Sequence, residues 1–437
     1  MASSKQEQTS PAKGSAQKGA DRPVQVMIGR QPILDRRRRV LGYELVFNLD
    51  GPVATADVSP GTAAAHVVAD GILSFGLDRL VGPRRAFIEI PPAWLSHEVI
   101  AVLPASRVVI AIPADGPIDA EAVDACTRLK TAGYTLALKR FAPGSDAAAL
   151  LPLADYITHD FVATELAAAQ ACLDARKRLT KQPAAIATGV ETAEAFNEAL
   201  KQGFSHAQGY FFARDTDLES KAVPHGHVGS LRLLSALNDA NLSLDDLEDT
   251  LKHDAALCYR MLRTVNSAGF AQTREITSIR HALLLLGRDI IRRWATLWVL
   301  ADLGTGAHSE LVTMASIRGR FCEIISARRG GAEAGGEGFL LGMCSCLEAM
   351  LQRPMASILE DLPMSPELTA ALLGHDNASR RLLDCIIAYE RGDWTTALTL
   401  AGGLGISLTW LPPAHAQALD WAIDARRIDH ASSNTKH

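Results

Sequence analysis

A chain of 437 residues is too long for one ordinary domain, and with 48% hydrophobic residues it carries apolar side chains enough for two filled cores. Its formal net charge of −5 and pI near 6.2 exclude a general attraction to nucleic acid, leaving only local basic clusters to bind phosphates. Seven cysteines, an odd number without CxxC spacing, exclude a disulfide framework and point to a reducing cytoplasm. Residues 1–23 are rich in Ser, Lys, Gln, Gly and Ala, lack an apolar signal core, and read as a disordered tail. The apolar run 395–411 is broken by Gly402, Gly403 and Gly405 and stopped by Pro412-Pro413, so no membrane segment is expected.

From residue 24 the chain predicts a strand to 33, a turn at Asp35-Arg36-Arg37 and a second strand over 39–47, which together make a hairpin. The arginines Arg36 to Arg39 read as a solvated hairpin tip, with a phosphate-binding patch as the alternative. Beyond an alanine-rich helix at 62–77, short β-rich runs follow at 86–90, 107–112, 135–140, 155–159, 184–188 and 208–212. Helical stretches lie near 96–102, 118–132, 147–153, 163–179 and 192–202. Eight strands alternating with helices predict a mainly parallel sheet, covered on both faces and closed into a TIM-like α/β barrel over 24–215. Chemistry in such a barrel sits at the C-terminal ends of the strands, so the strand-end residues are the informative ones.

Those residues resemble a known family. Gln31-Pro32-Ile33, Gly42-Tyr43-Glu44-Leu45-Val46, Gly189-Val190-Glu191-Thr192 and Gln208-Gly209-Tyr210 look like the EAL phosphodiesterase domain, which linearises cyclic di-GMP. The resemblance implies two divalent cations held by carboxylates and an asparagine. Several positions depart from it. Glu44 stands where the EAL glutamate belongs, and Glu89 replaces the metal-binding asparagine. Ala111 replaces a metal glutamate, and Lys139-Arg140 replace two aspartates. Thr158 replaces a lysine and Thr188 a glutamate, whereas Asp160, Glu191 and Gln208 remain. The retained carboxylates Glu44, Glu89, Asp160 and Glu191 are expected to pair with Lys139 and Arg140, an internal cation pair standing where the metals would be. The alternative is a basic mouth that grips a cyclic dinucleotide through its phosphates without cutting it, with Gln31, Lys139 and Arg140 as ligand-binding residues.

Residues 216–229 read as a linker, in which His225 and His227 lack partners for a metal. Beyond it β-signals almost vanish, and an all-α domain is expected over 230–425 with a tail at 426–437. Helices are predicted over 228–237 and 244–252, the second capped by Ser243 with Asp246. His253-Asp254 mimics the metal pair of a helical phosphohydrolase, but Asp254 reads as the cap of the next apolar helix, and neither it nor His375-Asp376 has a ligand set around it. Asn266-Ser267 reads as a helix-ending corner, and His281 as an ordinary helix residue. Asp254 to Leu257, Leu262 to Ala268, Ile276 to Ile279 and Ala282 to Gly287 resemble the HDOD domain, a helical relative of the HD phosphohydrolases that lacks their metal ligands. The likeness extends through Phe339 to Met343 and Tyr389 to Trp394.

The expectation is therefore an EAL-like barrel followed by an HDOD domain, acting in signal transduction through contacts with a signalling protein partner. No catalytic residue, metal ligand or cofactor is assigned, and neither nucleic acid nor membrane is expected as a partner. Arg288, Arg292 and Arg293, on the polar side of the helix bearing Trp294 and Trp298, are the expected partner surface. A cyclic di-GMP-binding effector is the alternative, and an active phosphodiesterase ranks behind it.

Overall fold

The computed structural model describes residues 26–48, 72, 75–161, 166–213, 243–252, 279–287, 295, 309–351, 354–361 and 364–433. His253-Asp254, Asn266-Ser267, His225, His227, Arg288, Arg292, Arg293 and the predicted helix 228–237 lie outside them. The N-terminal unit is a closed barrel with its eight strands in chain order. Strands β1 (Ile28–Asp35) and β2 (Val40–Phe47) form the hairpin. Its tip is built by Asp35, whose carboxylate accepts the backbone N–H groups of Arg37 and Arg39 at 2.8 and 2.9 Å and the Arg39 guanidinium at 2.9 Å. β1 closes the barrel by running antiparallel to both β2 and the last strand, β8 (His206–Gln208).

The remaining strands are parallel neighbours: β3 (Arg85–Glu89), β4 (Val108–Pro113), β5 (Thr135–Lys139), β6 (Tyr156–Asp160) and β7 (Ala184–Thr188). Helices α1 (Leu77–Val81), α2 (Val99–Val102), α3 (Ala120–Thr131), α4 (Leu166–Lys177) and α5 (Ala193–Gln202) lie between them. Asp119 and Thr192 cap α3 and α5, their side chains accepting the N–H groups of Ala122 and Ala195. Two expectations need correction. The final strand predicted at 208–212 ends at Gln208, because Gly209 turns at φ 149°, where an added Cβ would stand 1.8 Å from the Val190 carbonyl oxygen. Phe211–Ala213 then form a 3-10 turn. The helix predicted at 147–153 is a 3-10 segment, Asp146–Leu153, with Pro152 inside it.

Inside the barrel Ile33, Phe87, Val109, Ala111, Ala137 and Ile186 form one apolar cluster, which plugs the lumen and forms the floor of the polar mouth above it. The second unit is helical: α6 (Leu244–Lys252), α7 (Ile279–Leu286), α8 (Ser309–Cys344), α9 (Leu347–Leu351), α10 (Met355–Asp361), α11 (Pro366–Leu372), α12 (Ala378–Arg391), α13 (Trp394–Gly403) and α14 (Leu411–Ser433). Ser243 and Asp246 cap α6 reciprocally, at 3.1 and 3.2 Å. α8 breaks at Gly331, and α14 carries the chain in helical form to Ser433, through most of the stretch read as a tail. Cys344 and Cys346 are buried in the helical unit. Among the described residues no helix is long and apolar enough to cross a membrane.

The centre of the helical unit is aromatic. Tyr389 and Phe321 are fully buried and meet edge-on at 5.2 Å, with His415 packed against both rings at 5.0 and 5.4 Å. Burial drives the His415 imidazole down to about 3, with the Arg30 guanidinium adding to the effect. Between the ordinary value of 6.5 and about 3, only the unfolded chain takes up this proton. Stability is therefore present above pH 6.5 and falls as the pH drops, by about 1.4 kcal/mol per unit. Urea midpoints between pH 7 and 5.5, above the main carboxylate range, test this. His415→Gln should flatten the slope, and an unchanged slope would overturn the assignment.

Candidate functional site at the barrel mouth

The C-terminal ends of the strands surround a cavity of about 470 Å³, within the size range of small-molecule sites. Glu44 enters from β2, Glu89 from β3, Lys139 from β5, Thr158 and Asp160 from β6, Thr188 from β7 and Gln208 from β8, with Gln31 from β1 and Arg140 from the loop after β5. Strand-end position brings Glu89, Lys139, Asp160, Thr188 and Gln208 together, while Gln31 and Glu44 reach the mouth from the middle of the longer hairpin strands.

At the centre stands the Lys139 ammonium, which donates to both Glu44 and Glu89. Burial works against this charge, but the two carboxylates outweigh it and hold the ammonium above the ordinary lysine range. Burial likewise opposes the Glu89 carboxylate, and Lys139 and Arg140 overcome that and hold it below the usual carboxylate range. Thr158 supports the next residue: its hydroxyl accepts the Arg140 N–H at 3.1 Å, fixing Arg140 in a left-handed conformation at φ 55°. That backbone sends the guanidinium to the rim, where it bonds Asp115 at 2.6 and 3.2 Å as well as Glu89 at 3.4 Å. The Thr188 hydroxyl donates to the His159 carbonyl at 3.1 Å.

Three expectations change here. Asp115 was not anticipated as a site residue; its only signal in sequence is its place two residues beyond the end of β4. With it, Glu44, Glu89, Asp115 and Asp160 bring four carboxyl groups to the mouth against the two cations Lys139 and Arg140, so the mouth is not basic. Glu191 does not join the cavity cluster; it faces Arg391 of the helical unit at 3.8 Å. Ala111, at the floor, offers no donor.

This donor set does not fit a pair of divalent cations. An ammonium fills the space between the Glu44 and Glu89 carboxylates, and Ala111 and Thr188 stand where the resemblance places anionic ligands. Among the described residues no group of three or more His, Cys, Asp or Glu is arranged to hold a metal ion.

The hairpin side of the barrel meets the helical unit. Gln31 donates to the Arg391 carbonyl at 2.9 Å, and the Tyr43 hydroxyl donates to Glu310 at 2.7 Å. The Arg391 guanidinium lies over the Tyr210 ring, 4.5 Å from its centroid. Gly29 of β1 lets the backbones meet, since a Cβ there would stand 2.8 Å from the Gly392 nitrogen.

The EAL-type motifs on a closed eight-stranded barrel, followed by a helical unit with an HDOD domain, give the chain the two-domain architecture of EAL–HDOD proteins. The HDOD domain model matches residues 224–347. Across nearly its whole length the chain is similar to the cyclic di-GMP phosphodiesterase CdgJ of Vibrio cholerae, 28% identical over 92% of this chain and 93% of that protein. It is also similar to YuxH of Bacillus subtilis, 26% identical over 91% of this chain and 98% of that protein. Among solved structures, an EAL-domain protein of Listeria monocytogenes matches 43% of this chain and 87% of its own, at 16% identity and a TM-score of 0.36.

Proposed function

We propose that the chain is a non-catalytic regulator in cyclic di-GMP signalling that acts through contacts with a protein partner. The observation that carries this reading is Lys139. Its ammonium is held by Glu44 and Glu89 and supplies, as a fixed side chain, the positive charge that a phosphodiesterase would draw from metal ions. A lysine in that position neutralises the carboxylates but cannot lower the pKa of a bound water as a divalent ion does. Its loss from the cluster would leave Glu44 with only the neutral Gln208 amide and Glu89 with Arg140 alone.

A second reading, a cyclic di-GMP-binding effector without hydrolysis, is supported by the cavity of about 470 Å³ and by the similarity to CdgJ. The charge balance works against it, because both cations that would meet the phosphates are already engaged by carboxylates. An active phosphodiesterase stands third.

Purified protein incubated with cyclic di-GMP and magnesium or manganese is expected to leave the dinucleotide intact. Linear dinucleotide that increases in proportion to protein would overturn the non-catalytic reading. Calorimetry with the same ligand separates the first two readings. Absence of heat supports the partner-directed regulator, whereas heat that weakens in Lys139→Ala and Arg140→Ala supports the effector.

A further inference from the structure

The C-terminal end of α12 satisfies only part of itself. Gly392, in the left-handed conformation, donates its N–H to the Tyr389 carbonyl at 3.1 Å, and the Asp393 N–H reaches the Ala388 carbonyl at 2.9 Å. That cap leaves the carbonyls of Glu390 and Arg391 to find partners beyond the helix. The barrel supplies both. Gln31 donates to the Arg391 carbonyl at 2.9 Å, and the Tyr210 hydroxyl shares its one proton between the Glu390 and Arg30 carbonyls, each at 3.4 Å.

Gln31 is not independent of the mouth. Its amide oxygen accepts from Gln208 at 3.0 Å, the Gln208 amide also donates to Glu44, and Glu44 accepts from Lys139. The two ends of the glutamine pair are a carboxylate and a backbone carbonyl, both acceptors only, so each amide has one permitted orientation. Turning either one sets oxygen against oxygen.

We infer that Gln31 is the joint between the two units: a change at the mouth that takes Glu44 from Lys139 or Gln208 releases the Arg391 carbonyl and loosens the end of α12. The inference concerns the linkage and holds whether or not the mouth cuts or binds a dinucleotide. The element with two arrangements is the helix end, capped by the barrel or not, and the mouth biases it through three consecutive hydrogen bonds.

A double-mutant cycle on the full chain tests this without a ligand. Lys139→Gln removes the ammonium and leaves Glu44 and Glu89 to repel each other. Amide hydrogen exchange at Gly392 and Asp393 is then expected to rise about five- to tenfold. Gln31→Ala should raise it by itself, and in that background Lys139→Gln should change it by no more than about twofold. Equal acceleration by Lys139→Gln in both backgrounds, or in neither, would overturn the inference. Exchange at Ala132, which closes α3 on the far side of the barrel, reports global unfolding. If Gln31→Ala raises that as well, Gln208→Met breaks the same relay one step earlier without touching α12, and the same comparison applies.

Discussion

Glu390→Ala should cost the chain about 3–5 kcal/mol of stability, a large share of the 5–15 kcal/mol that holds a typical domain. Arg318 and Glu390 are both buried, and the guanidinium meets the carboxylate at 2.8 and 3.1 Å while its remaining nitrogen donates to Ser345 at 2.9 Å. Burial disfavours the Arg318 charge, yet Glu390 outweighs it and holds the guanidinium above even its usual range. Removing the carboxylate strands a cation at the junction of α8 and α12, with only neutral partners left. The cost is that of the stranded charge rather than of the bond itself. Replacing both, as Arg318→Met with Glu390→Leu, should therefore recover most of the loss. Denaturant midpoints for the three variants decide the matter, and a loss under about 1 kcal/mol for Glu390→Ala would mean that water reaches Arg318.

Gly392→Ala should cost about 2–4 kcal/mol for two separable reasons. The position has φ 73°, which disfavours any Cβ, and that Cβ would stand 2.6 Å from a methyl of Val46 on β2. Val46→Ala in the same chain removes that methyl but keeps the Val46 Cβ, which would still stand 2.8 Å from the new one. The double variant should regain only part of the steric cost and keep the backbone loss of about 1 kcal/mol. If Val46→Ala returns nothing, α12 does not seat against β2 as described.

The barrel was legible because its signals are local. Short β-rich runs separated by helices put strand β7 at Ala184–Thr188, where 184–188 was expected, and helical patterning placed α3 and α5 to within about two residues. Strand-end position then delivered Glu89, Lys139 and Gln208 to one cavity. The charge balance was not legible. Arg140 lines the mouth, but its left-handed backbone carries the guanidinium to the rim and to Asp115, and no pattern in sequence announces that φ for an arginine. Glu191 was assigned to the same cluster, and its partner Arg391 lies on the other unit. Gln31 and Tyr210 sit in motifs quoted for the barrel alone, whereas part of what they satisfy is the end of a helix 360 and 180 positions further along. Pairings of that span depend on how two completed units meet.

Closure of the barrel by its own first strand sets an order of events during synthesis. β1 gains its second neighbour only when β8 has been made, so the barrel is complete as a sheet once Gln208 is available, and it needs nothing from the helices that follow. At about 5–20 residues per second, the end of α12 emerges on the order of ten to forty seconds later. During that interval the surface that will receive α12 presents an amide at Gln31 and a phenol hydroxyl at Tyr210, groups that water satisfies. These two groups can stay hydrated until α12 arrives, while the apolar side chains around them wait to join the helical core. The helical unit, arriving last, finds its docking geometry already set.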